Sequence, residues 1–191
     1  IHTAGLSRPM RIHDHNISKS IELNIIGTAN IVKACNKFNI KLIYISTGYV
    51  YEGTKGNYSE EDSVKPFNNY GWSKLGGECS VKMYNNSLIL RVTMTEKPFN
   101  FKTAYTNLIS NFMYHEDFVG ILPKLINKKG IINVGGKSQS IYKFAKSKNI
   151  KVKKARLQNS KKLPLLQSMS LKKLTSICLL YTSPSPRDDE L

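Results

Sequence analysis

A phenol and an ammonium on one helix face can share a proton and a ligand, and the chain offers that arrangement in Tyr70-Gly-Trp-Ser-Lys74. Residues four apart on a helix are neighbours. A nearby ammonium favours phenolate, which brings a tyrosine towards the range useful for general acid–base work. Spacing alone does not select this pair, because Tyr51/Lys55 and Tyr142/Lys146 repeat it. Context does. Tyr70 opens an expected helix, and a buried strand upstream ends in the hydroxyl pair Ser46-Thr47. Ligands of open parallel sheets bind beyond the carboxyl ends of the strands, so Thr47 and the helix carrying Tyr70 and Lys74 should meet at one edge. Tyr51 lies in a glycine-rich loop, and Tyr142 lies far from both central strands.

The elements that must position these residues read as α/β. Ile1 to Ala4 is the end of a buried strand, and a polar loop with Pro9 follows. Ile21, Ile25, Ala29 and Val32 recur at helical spacing between Ser18 and Phe38, with Ser18 or Ser20 as N-cap. Lys41 to Ser46 and Ser87 to Val92 are nearly continuous apolar runs, the pattern of parallel strands buried on both faces. Between them lie a functional-length loop over 48–68 and a helix from Asn69 to Tyr84. Beyond Pro98 the pattern predicts helices around Tyr105–Phe112 and Phe118–Leu125. A strand at Gly130–Val134, a helix capped by Ser138 and an edge strand over Ile150–Lys154 follow. His115, Glu116 and Asp117 read as a helix cap rather than a metal site.

The composition narrows the function classes. With 40% apolar residues in 191, the chain can bury a good-sized core, and no apolar run reaches the roughly 18 residues a membrane span requires. Cys35, Cys79 and Cys178 show neither paired nor metal-ligand spacing, which points to a reducing cytoplasm and no structural zinc. The net charge of +16 is concentrated: residues 118–177 hold 15 basic side chains and no acidic one. The lysines are scattered with few aromatics between them. A solvated surface is therefore favoured over a nucleic-acid site, since single-strand binders pair basic grooves with stacking aromatics.

The run Ile43-Tyr-Ile-Ser-Thr-Gly-Tyr-Val-Tyr-Glu-Gly53, with Pro66 and Tyr70-Gly-Trp-Ser-Lys-Leu-Gly-Gly-Glu78, resembles the active-site strand and helix of the extended short-chain dehydrogenases/reductases. His2-Thr-Ala-Gly5 resembles that family's fourth-strand motif, and Asn24-Ile-Ile-Gly-Thr-Ala-Asn30 its asparagine helix. Gly130 to Gly136 with Ser140 to Ala145 resembles its substrate-domain strand and helix. Within the family, the strand ending and the segment Pro164 to Lys173 are most similar to the dTDP-4-dehydrorhamnose reductase branch, whose members commonly have Asp where this chain has Gly48.

The resemblance implies a partial Rossmann-type doubly wound parallel sheet over 1–95, a smaller α/β substrate-binding part mostly over 96–177, and a tail over 178–191. That tail resembles a translated library adapter and is expected to be non-native or disordered. It further implies NAD(P)H-dependent reduction of a nucleotide-linked 4-keto sugar. Tyr70 would exchange the proton at the sugar oxygen, Thr47 would polarise that oxygen, and Lys74 would hold the nicotinamide ribose and lower the tyrosine pKa. Asn24 would order a helix kink and a relay water. Ala4, Gly5 and Ser46 would join Tyr70 and Lys74 at the cofactor, while Tyr49 and Arg91 would meet the substrate. Arg91 reads equally as half of a buried ion pair. Nucleotide-sugar epimerases or dehydratases and non-catalytic regulatory subunits share these motifs, and nucleic-acid binding through 118–177 is a further alternative. No membrane association is expected, and a homodimer is allowed for in the intact protein. No Gly-x-x-Gly-x-x-Gly loop follows a strand in the chain, so the chain alone is expected to bind NAD(P)H weakly.

Overall fold

Two uninterrupted apolar runs form the frame of the molecule, a computed structural model that describes residues 1–147, 151–158 and 163–180. The strands Leu42–Thr47 (β1) and Ser87–Val92 (β2) are buried along their whole length. They pair in parallel, from Leu42 opposite Ser87 to Thr47 opposite Val92. Gly130–Val134 (β3) pairs in parallel on the outer side of β2. On the other side of β1, His2 forms a parallel bridge to Tyr44, its amide donating to the Ile43 carbonyl at 2.7 Å. The order His2, β1, β2, β3 steps outward in one direction, as one half of a doubly wound sheet does. Alternate side chains point to opposite faces. Ile43, Ile45, Leu88, Leu90, Ile132 and Val134 therefore pack with Phe118, Leu125, Leu174 and Ile177, while Leu42, Tyr44 and Ile89 pack with Val81 and Tyr84.

The helices follow the expected positions closely. Ile17–Ile21 (α1) continues through a π-helical turn, Glu22–Ile26, into Gly27–Lys37 (α2). The cap is Asn16, whose side chain accepts from the Lys19 amide at 2.9 Å, rather than either serine. Asn69–Lys82 (α3) is capped by Asn68, which accepts from the Gly71 amide at 2.8 Å. Helix α3 lies close against β1 and the π turn because Gly77 has no side chain. A Cβ there would overlap the Tyr44 hydroxyl and come within 2.7 Å of the Asn24 carbonyl.

The second half departs from expectation in several places. No helix forms over Tyr105–Phe112. Thr103–Tyr105 pairs with Lys153–Ala155, and Ile109–Ser110 pairs with Gln139–Ser140. These partners come from far along the chain, and such tertiary pairing overrides local periodicity. Gly130–Val134, expected in the substrate-binding part, is instead a strand of the main sheet, because Ile132 and Val134 complete its core. The last helix, Lys172–Leu180, runs past the expected boundary at 178, and Cys178 packs against the core. Residues 181–191 of the expected tail, and Ile150 of the expected edge strand, lie outside the described residues. His115–Ile121 (α4) does begin at the expected cap, with the Tyr114 amide donating to Asp117 at 3.2 Å. Ser140, not Ser138, caps Ile141–Lys146 (α5). A second core gathers Phe99, Ala104, Tyr114, Phe144 and Val152 beside the sheet. All three cysteines are free, and among the described residues no helix is long and apolar enough to cross a membrane.

Candidate active site

The carboxyl end of β1 and the first turn of α3 meet, as their order in an open sheet requires. The Thr47 hydroxyl accepts the Tyr49 amide at 3.2 Å and stands near enough to the Tyr70 phenol to pull its pKa down. Tyr70 is also walled by aromatic rings, Tyr49 edge-on at 6.1 Å between centroids and His13 at 5.1 Å. One turn on, Lys74 is buried, its Nζ 4.2 Å from the centre of the Tyr44 ring. Among the described residues Lys74 makes no side-chain hydrogen bond, so its donors are left for a ligand. Gly5 lies beside it, since a Cβ on Gly5 would stand 3.9 Å from Nζ.

A cleft of about 640 Å³ opens over this end of the sheet. Gly5, Ser46, Tyr49, Tyr70 and Lys74 line it, together with Thr93, Glu96, Phe99, Phe101 and Phe112. Ala4, which is exposed, and Thr47, which is buried, are not among the lining residues. The buried Ser46 hydroxyl finds no protein partner among the described residues. An ammonium without an acceptor, an orphaned hydroxyl and an open glycine backbone fit the hydroxyl-bearing nicotinamide end of a dinucleotide. The residues that would hold it are Lys74, Tyr70, Ser46 and Gly5.

Asn24 has a structural task next to this site. Its side chain accepts from the Leu6 amide at 2.7 Å and donates to the Leu6 carbonyl at 2.9 Å and the Ser73 hydroxyl at 2.8 Å. It thereby clamps the Gly5 loop to α3 from within the π turn, the kink that was expected there. All its side-chain groups are used, and it does not line the cleft.

Two expectations need correction. Arg91 does not face the cleft. Its guanidinium donates to both Glu78 oxygens, the shortest contact being 2.8 Å, and to the Tyr51 hydroxyl at 2.8 Å, and both members of the pair are 4% exposed. A charge buried in a central strand must be paired, and Glu78 on α3 meets that requirement. Nor does Lys74 lower the Tyr70 pKa. Burial pushes that phenol up to about 12, against the Thr47 hydrogen bond and the charge of Arg8. Burial likewise pulls Lys74 down to about 8, with Glu78 holding it up. The resting pair is thus a neutral phenol and a largely protonated amine.

Sequence reasoning missed Arg8 and His13. Arg8 lines the cleft, and the buried His13 holds the Ser20 hydroxyl at 2.8 Å while its ring packs on Tyr70. Arg8 sits in the loop before α1, and His13 in a single helical turn, Ile12–His15, within the stretch expected to be a polar loop; the only available signal was the concentration of histidine and arginine around Pro9.

The RmlD substrate binding domain family matches residues 1–112. Over 93 residues the chain is 38% identical to methionine adenosyltransferase 2 subunit beta of Bos taurus, a stretch covering 48% of this chain and 28% of that protein. It is 31% identical over 110 residues to the dTDP-4-dehydrorhamnose reductase of Aggregatibacter actinomycetemcomitans, covering 56% of this chain and 36% of the other. The chain thus spans well under half the length of these curated relatives. The crystal structure of the Bacillus anthracis dTDP-4-dehydrorhamnose reductase in complex with NADP superposes with a TM-score of 0.76 at 25% identity, covering 92% of this chain and 71% of that one.

Proposed function

The chain belongs to the RmlD substrate binding domain family, and from that premise we propose that it forms the active-site portion of an NAD(P)H-dependent reductase of a nucleotide-linked 4-keto sugar. The observation that carries the proposal is that Tyr70, Lys74 and Ser46 line one cleft, with the Thr47 hydroxyl beside the phenol. The nicotinamide, when bound, supplies a hydride to the ketone carbon. The oxygen left with the electron pair takes the proton of Tyr70, which a phenol held near pKa 12 carries at neutral pH. Thr47 orients that phenol, and the charge of Arg8 stands near the phenolate that results before solvent reprotonates it. Lys74 and Ser46 offer donors to the ribose, and Gly5 lets it approach the backbone. Reduction by a protein of the extended short-chain dehydrogenase/reductase type, in the cytoplasm and as a homodimer, completes this reading.

The test is NADPH oxidation with dTDP-4-dehydrorhamnose. It uses the protein extended upstream through a strand, glycine-rich loop and helix, because the chain itself carries no such loop. Turnover lost by a factor of about 10²–10⁴ in Tyr70→Phe supports the proposal. Turnover unaffected by that substitution overturns it.

A second reading is favoured by the 38% identity to methionine adenosyltransferase 2 subunit beta. In it the same cleft binds a nucleotide without turnover, and the protein regulates a partner enzyme. Absence of turnover in the extended protein, together with dinucleotide binding that Lys74→Met abolishes, would select this reading.

A further inference from the structure

Although the protein carries a net charge of +16, few of its cations lie where the proposed substrate would sit. None of the described lysines or arginines between 118 and 177 lines the cleft, whose permanent cationic side chains are Arg8 and Lys74. Lys74 stands over the Tyr44 ring beside Gly5, at the end that fits the nicotinamide. Arg91 is consumed by Glu78. A diphosphate bound in the cleft would meet Arg8, the remaining cation of its lining.

Arg8 is placed for that encounter. It leaves the loop before α1 and reaches Glu96, after β2, Nη1 to Oε1 at 3.2 Å, so that the pair joins two separate stretches of the lining. Its charge is felt at the phenols of both Tyr49 and Tyr70. The two side chains are 50% and 55% exposed, and a solvated pair of this kind is held weakly. A guanidinium binds phosphate oxygens through a two-pronged fork that a single carboxylate contact at 3.2 Å does not fill. We propose that Arg8 binds the diphosphate of the nucleotide-linked substrate, releasing Glu96 to do so. Glu96 holds the guanidinium over the cleft and, by its own negative charge, opposes the ligand until the exchange takes place. This inference rests on reading the cleft as a nucleotide-sugar site and adds the residue that recognises the anionic part.

Calorimetric titration of the full 191-residue chain with dTDP tests it, with ADP-ribose as the probe for the cofactor's diphosphate. Arg8→Gln should weaken dTDP binding at least tenfold, Glu96→Gln should tighten it several-fold, and Lys33→Gln, on the distant face of α2, should leave it unchanged. The proposal is overturned if the wild-type chain does not bind dTDP, if Arg8→Gln binds it as tightly as wild type, or if Lys33→Gln weakens it equally. ADP-ribose binding that depends on Arg8, with dTDP unaffected, would assign the residue to the cofactor and also overturn it. The titration involves no hydride transfer. Failure of the reductase reading appears separately, as missing turnover with Tyr70 intact.

Discussion

Lys74 is an ammonium kept almost out of water, 7% exposed, and supported by the Tyr44 ring and by Glu78 one turn further along α3. Its folded pKa of about 8 lies below the ordinary 10.5. The unfolded chain therefore binds more protons at this residue between pH 8 and 10.5, and stability rises with pH across that window. Below pH 8 the full cost of the buried charge is present. Lys74→Met should accordingly stabilise the protein by about 1–3 kcal/mol at pH 7 and remove that part of the rise, while abolishing reduction. Thermal unfolding at pH 7 and pH 10 checks both statements, and a destabilised Lys74→Met protein would contradict them. Glu78 does not suffer from the exchange, since Arg91 retains it through three contacts. The pairing of Tyr70 with Lys74 was legible in the sequence because a helix repeats every four residues and the strand before it ends in hydroxyls. Arg8 and His13 were not, because a loop and a single four-residue helical turn, Ile12–His15, are too short to show a period that reveals which way side chains face.

At the scale of elements, the site depends on α3 staying seated on β1 and β2. The Arg91–Glu78 pair ties β2 to α3, and the Tyr51 hydroxyl extends the tie to Ser59 and Asn133. Removing one member strands a buried charge, which costs about 3–5 kcal/mol. Arg91→Met should lose that much in chemical denaturation, and a loss below about 1 kcal/mol would show that the pair is dispensable. Gly77→Ala, at the tightest approach of α3 to Tyr44 and Asn24, should cost about 1–3 kcal/mol by overpacking. It should also lower turnover by shifting Lys74. The strands β1 and β2 were readable because continuous burial leaves a continuous apolar run. The segment from Thr103 to Ser110 was not, since Ile109 bonds to Leu165 and Gln167 through its backbone, and backbone pairing leaves no trace in side-chain type. The π turn at Glu22–Ile26 was foreseen only as a kink at Asn24.

On the scale of the whole molecule, four parallel segments supply a floor and the smaller Phe99–Phe144 core supplies a wall, and the cleft is the space between them. The described lysines and arginines of the second half lie outside that cleft, which is why the charge excess foretold nothing about the site. What the proposed site offers is the nicotinamide end. Without a glycine-rich loop to receive the pyrophosphate, the 191 residues alone should show no saturable NADPH binding at micromolar concentrations in a fluorescence titration, and micromolar affinity would contradict this. The most direct test of the account follows a single atom. With NADPH deuterated at the transferable position of nicotinamide C4 and dTDP-4-dehydrorhamnose as substrate, the upstream-extended protein should deliver deuterium to carbon 4 of the sugar. The Tyr70→Phe protein should deliver almost none while still binding dTDP. Label transferred equally by both proteins, or by neither, would contradict the role given to Tyr70 and the cleft around it.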